Sequence, residues 1–159
     1  MKLISWNIRG LNSPRKTRIL KKMIKQEKPY VLFLQETKSS SITVDRLTSR
    51  IWPGSFNMAV DANGASRGLA IIWDPKAIRL DNFHAHRNFL QALFHIIGTN
   101  IHGLLTNVYF PQETSLKAGI LNSLSELNNI RSFPLWIAGG DYNMITKIEE
   151  KRGGRSRGI

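Results

Sequence analysis

The first 35 residues constrain the fold more than any other part of the chain. "KLISWNI" (Lys2–Ile8) reads as a strand with Leu3, Ser5 and Asn7 on one face and Ile4, Trp6 and Ile8 on the other. "RGLNSPRKT" then turns the chain, with Ser13 placed to cap a helix and Pro14 at its first position. Ile19, Leu20, Met23 and Ile24 recur at helical spacing in an otherwise basic segment, and Pro29 ends it. "YVLFLQ" (Tyr30–Gln35) is a short, almost wholly apolar strand. A strand–helix–strand unit this short makes the two strands parallel, joined by a right-handed crossover. Both strands then end on the same edge of one sheet, where Asn7 and Glu36 stand.

Further along, the pattern changes. A second helix is expected over Val44–Ile51. "FNMAV" and "GLAIIW" flank "DANGASR", whose Asn63-Gly64 is a hairpin signal. "FLQALFHII" and "IHGLLTNVYF" form another hairpin around Gly98-Thr99-Asn100. A helix over 115–130 is predicted to bury Leu116, Ile120, Leu124, Leu127 and Ile130, and a strand over Leu135–Ala138 follows it. Two sheets with helices outside them accommodate this order economically, an α/β sandwich. Residues 1–146 read as the domain and 147–159 as a basic Gly/Arg-rich tail. The core strand so close to Ile159 has no later element to cover it, so the domain reads as C-terminally truncated.

Twenty-three Lys and Arg stand against eleven Asp and Glu, a net charge of +12 that favours a polyanionic partner, DNA first and RNA second. Absence of cysteine excludes disulfides and thiolate metal sites and fits a reducing intracellular compartment. No apolar run reaches membrane-spanning length, and no membrane partner is expected.

"PLWIAGGDYNMI" (Pro134–Ile145) carries a core-like run into two glycines and then Asp141 and Asn143. Bare glycines let a backbone or substrate approach closely while the strand holds the carboxylate. In an extended segment Asp141 and Asn143 would face the same side. Turn chemistry explains the same residues equally well. Glu36 alone reads as a solvated strand-end carboxylate or as a ligand for a hard cation, which needs only one or two carboxylates besides water and phosphate oxygens. Asn7 could orient that carboxylate or bind the metal or a phosphate weakly. Tyr109, closing a strand before Pro111, is a packed residue or a phosphate donor. His84, His86, His95 and His102 lack metal-motif spacing. Arg15, Lys16 and Lys22 in the basic helix, with Arg152 and Arg155 in the tail, are candidates for contacting nucleic-acid phosphates.

Taken together, "SWNIRG", "QETK", "NVYFP" and "GGDYN", in that order, resemble the endonuclease/exonuclease/phosphatase superfamily. "WNIRGLNSP", "GLAIIW" and "EEKRGG" are similar to the nuclease domain of plant non-LTR (LINE-type) retroelements. The resemblance implies a DNase I-like two-sheet sandwich and Mg²⁺-dependent (or Mn²⁺-dependent) phosphodiester hydrolysis, nicking target DNA. Carried over by position, Glu36 binds the metal with Asn7, Tyr109 contacts the phosphate, Asp141 activates the attacking water and Asn143 holds the phosphate. Abasic-site repair members carry an aspartate where this chain has Arg9, which argues against that specialisation. The family's later aspartate and its Ser-Asp-His motif fall beyond Ile159, so impaired turnover is expected. A noncatalytic nucleic-acid-binding remnant, or a phosphatase of the same superfamily, is the alternative.

Overall fold

A computed structural model describes residues 1–64, 66–130 and 133–143, with residues 127–130 as backbone alone. Four strands make the first sheet: β1 (Leu3–Asn7), β2 (Val31–Gln35), β3 (Phe56–Val60) and β4 (Leu69–Trp73), in the order β1-β2-β4-β3. The second sheet holds β5 (Ile78–Ala85), β6 (Phe89–Ile96), β7 (His102–Tyr109) and β8 (Trp136–Asp141) in sequential order. Helices α1 (Pro14–Glu27) and α2 (Ser41–Ile51) pack on the outside of the first sheet, and α3 (Thr114–Ile130) on the outside of the second. The architecture is the two-sheet α/β sandwich.

Pairing within each sheet decides which strand ends meet. β1 and β2 are parallel, with Asn7 opposite Gln35, as the short crossover requires. β7 and β8 are also parallel, with Tyr109 opposite Asp141. The remaining neighbours are antiparallel. β1 and β8 face each other across the sandwich, so four chain segments deliver Asn7, Glu36, Tyr109 and Asp141 to one edge.

Alternation along β1 sorts its residues as expected: Leu3 packs into the core between the sheets, whereas Ile4, Trp6 and Ile8 pack beneath α1 and α2. β2 and β4 are buried on both faces, which accounts for their unbroken apolar runs. Phe33, Ile71, Leu90 and Leu105 anchor the inter-sheet core. Each side chain fully buried in this way contributes about 1.5–3 kcal/mol.

Ser13 caps α1, its hydroxyl accepting from the Lys16 N–H at 3.4 Å, and Pro14 opens the helix. Leu20 and Ile24 are buried there, but Ile19, about a quarter-turn round the helix from Leu20, is exposed. α3 buries Ile120 and Leu124 against Phe89, Val108 and Phe110. Leu116, expected on its buried side, is exposed instead, since the first turn extends past the sheet. Leu127 and Ile130 have side chains outside the described residues. β5 is a strand that no reading of the sequence placed. Among the described residues, no helix is long and apolar enough to cross a membrane.

Candidate active site

Asn7 joins the two carboxylates. Its amide nitrogen donates to Glu36 Oε1 at 3.0 Å and to Asp141 Oδ2 at 2.6 Å, although Asp141 lies 134 residues away in sequence. The amide oxygen accepts from the Arg9 N–H at 3.2 Å. This network sets the orientation of the amide, since reversing it would turn an oxygen toward two carboxylates. Lys38 Nζ stands 4.0 Å from Glu36 Oε2, and the Tyr109 phenol lies within hydrogen-bonding reach of the same carboxylate.

Several residues here adopt left-handed backbone: Arg9 (φ 50°), Glu36 (φ 50°), Lys38 (φ 50°) and Asn143 (φ 47°). Such conformations are uncommon for non-glycine residues and concentrate at functional sites. The first three are braced by backbone bonds between the segments after β1 and β2, Gly10 N–H to Glu36 carbonyl (2.7 Å) and Leu11 N–H to Thr37 carbonyl (3.0 Å).

The positive φ at Asn143 corrects the expectation of an extended segment after β8. Asp141 Oδ1 accepts from the Asn143 N–H at 2.9 Å, closing a tight side-chain turn. The Asn143 amide nitrogen then donates to the Phe110 carbonyl, and Lys117 Nζ caps the Asn143 carbonyl at 2.6 Å. Asn143 nevertheless stays beside Tyr109. Burial raises the Tyr109 phenol above its ordinary range, the Glu36 charge adds to this, and Asn143 and Arg67 oppose it. The phenol is therefore kept protonated, able to donate a hydrogen bond.

A buried polar layer lies just inside the carboxylates. Asn107, fully buried on β7, donates across the sandwich to the carbonyls of Leu34 (3.0 Å) and Ala70 (2.9 Å). Its oxygen accepts from Gln35 Nε2 at 2.7 Å, and Gln35 also reaches Ser5 Oγ at 3.0 Å. Three strands of one sheet are thereby tied to β7 next to Glu36. Asn107 carries no motif in the sequence; its only signal is a Thr106-Asn107 pair of polar residues inside an otherwise apolar run. Asn107→Leu, similar in volume, is expected to destabilise the fold by about 1–3 kcal/mol for each buried group left unpaired. An unchanged urea midpoint would show that the layer carries no stability.

Cations reach the same edge from separate segments: Arg9 after β1, Lys38 after β2, Arg67 before β4 and Lys117 on α3. Lys16, a predicted phosphate contact, donates to the Arg9 carbonyl at 2.8 Å and borders this edge. Arg15 and Lys22 are exposed on α1, away from any ion pair among the described residues. Arg152 and Arg155 lie outside the described residues. The four histidines make no hydrogen bond to Asn7, Glu36 or Asp141.

The donor set fits a hard divalent cation. Glu36 and Asp141 offer carboxylate oxygens with little nitrogen or sulfur competition, and such ions retain several waters. No group of three or more His, Cys, Asp or Glu side chains that could cage a metal occurs among the described residues. Any ion here would therefore share its coordination with water and a phosphate.

No curated protein matches this sequence. In solved structures, an AP endonuclease from Leishmania major superposes with a TM-score of 0.72 at 18% identity, covering 96% of this chain and 58% of its own. Zebrafish (D. rerio) TDP2, complexed with a single-strand DNA product, gives 0.68 at 18% identity, over 89% of this chain and 60% of its own. The human Nocturnin catalytic domain gives 0.67 at 16% identity, over 87% and 63%. The chain thus spans about three-fifths of the length of these proteins, and at such identities the likeness shows the fold alone. A family model matches over residues 4–156, nearly the whole sequence, and takes in every segment that meets at the Asn7 edge: the chain belongs to the endonuclease/exonuclease/phosphatase family.

Proposed function

We propose that this chain hydrolyses phosphodiester bonds in DNA with Mg²⁺ or Mn²⁺, nicking duplex DNA as the endonuclease of a retroelement. The observation that carries the reading is the Asn7 amide bridging Glu36 and Asp141 at the meeting edge of the two sheets. Phosphoester hydrolysis needs a positioned water and compensation of phosphate charge, and little else from the protein.

Glu36 would hold the cation, and Asn7 fixes its rotamer by donating to Oε1. When bound, the cation neutralises phosphate charge and acidifies a coordinated water. Asp141, anchored at both oxygens, orients the attacking water in line with the phosphorus. Tyr109, kept protonated, donates to a non-bridging phosphate oxygen, and the Asn143 amide supports the same phosphate. Arg9, Lys38, Arg67 and Lys117 surround the site with positive charge, which favours a polyanion over a small monoester; RNA presents the same phosphates and is the secondary substrate. The retroelement assignment rests on the "WNIRGLNSP", "GLAIIW" and "EEKRGG" segments.

Two readouts test this. Mn²⁺ titration followed by electron paramagnetic resonance should show one bound ion that Glu36→Gln loses. Relaxation of supercoiled plasmid under excess protein should require Mg²⁺ and stop in EDTA. Nicking that survives EDTA, or Mn²⁺ binding untouched by Glu36→Gln, would reject the assignment.

A further inference from the structure

Behind the β1–α1 loop, a cleft of about 550 Å³ opens between α1 and α2 on the outer face of the first sheet. Four cations line it, Arg18 and Lys21 from α1 and Arg46 and Arg50 from α2, and no carboxylate does. None of the four forms an ion pair among the described residues. The nearest acids on the two helices are engaged elsewhere: Asp45 accepts from Asn57 at 2.8 Å, and Glu27 pairs with Lys2 at 2.9 Å. All four are exposed, yet two helices bring these like charges around one concavity, whose summed field draws in anions.

Position within the fold narrows the class of anion. Asn12 and Ser13 line the cleft and stand five and six residues after Asn7. A five-residue span reaches at most about 17 Å, the rise of about five base pairs of duplex. We infer that the cleft is a second phosphate-binding site for the nucleic-acid backbone, taking a stretch that flanks the phosphate held at the Asn7 edge. This rests on the nucleic-acid part of the proposed function and not on its chemistry. It needs neither metal nor the carboxylates. Arg46 and Arg50, which carry no motif, become binding residues, and the basic face of α1 acquires a partner.

The test is fluorescence anisotropy of the full chain with a labelled duplex oligonucleotide in EDTA, over a series of NaCl concentrations. Each phosphate contact contributes about 0.9 to the slope of log K against log salt. Arg46→Gln/Arg50→Gln should therefore lower the slope by about 1.8 and weaken binding severalfold at low salt. A control with equal charge change, Lys28→Gln/Lys76→Gln, lies at the opposite edge, where Tyr30 bonds Lys2 and Asp74 bonds Tyr30. It should leave the slope near that of the wild type. Equal losses in both variants reduce the effect to net charge and overturn the site. So does a cleft-dependent response to phosphatidylserine vesicles with no duplex binding, which would make the ligand a membrane surface. A chain that fails to bind duplex yet hydrolyses a small phosphodiester with Mg²⁺ loses the cleft and keeps the hydrolytic reading. Cleft-dependent binding without any hydrolysis does the reverse.

Discussion

Asp141→Asn is expected to lower Mg²⁺-dependent nicking roughly 10²–10⁴-fold, the range for a group that moves a proton, while the protein stays folded. Both oxygens of Asp141 accept hydrogen bonds, Oδ2 from Asn7 and Oδ1 from the Asn143 N–H. An asparagine offers one acceptor. Whichever way its amide is placed, an NH₂ group confronts one of those donors, and a partly buried donor left unpaired costs about 1–3 kcal/mol. Meeting the Asn7 donor loosens the bridge to Glu36; meeting the Asn143 N–H opens the turn that sets Asn143 beside Tyr109. Neither arrangement restores the negative charge that orients water. Single-turnover plasmid relaxation with excess protein reads the loss, and a thermal melt separates it from unfolding. A variant that stays folded and nicks within about threefold of wild type, well short of the loss expected of a proton-handling group, would remove Asp141 from the chemistry.

The same bridge explains how much of the site was legible in the sequence. A β–α–β unit fixes the relative direction of β1 and β2, so Asn7 and Glu36 could be placed on one edge from residues alone. Asp141 followed because a strand ending in Gly-Gly-Asp delivers its carboxylate at a C-terminal end. The pairing of that end with Asn7 is a matter of how the sheets stack, which no local pattern records. Arg67 and Lys117 were invisible for a related reason: each reaches the edge from a loop or helix whose own sequence has no motif. β5 was missed because its apolar–polar alternation breaks at an irregularity between Asp81 and His84, where Asn82 turns to φ 50°. Ile78 and Leu80 keep the pattern only briefly before it shifts. Asn143 was misread because the extended geometry assumed for it yields to an Asp-capped turn, which satisfies a backbone N–H that extension would leave open.

The two glycines before Asp141 should prove unequal. Gly140 has φ 142°, a conformation that L side chains rarely adopt, and a methyl group there would overlap the Val108 carbonyl oxygen on the neighbouring strand. That neighbour is backbone paired within the β7–β8 ladder, so it cannot rotate aside. Gly103, at the far end of the same strand pair, is crowded in the same way by the Leu135 carbonyl, so the close approach of β7 and β8 extends along their length. Gly139, by contrast, would place its methyl 3.4 Å from Phe33 Cδ2, an ordinary contact with a side chain. Overpacking of a core costs about 1–3 kcal/mol, and strained backbone adds a similar amount. Gly140→Ala is therefore expected to lose about 2–6 kcal/mol, a large share of the about 5–15 kcal/mol that holds a domain together. Gly139→Ala should stay within about 1 kcal/mol, the scale of a volume change that the site can absorb. Urea midpoints of the two variants decide the matter. If they move together, close strand approach is not what Gly140 serves. If only Gly140→Ala falls, the glycine is there to let β8 lie tight against β7 and hold Asp141 within reach of Asn7.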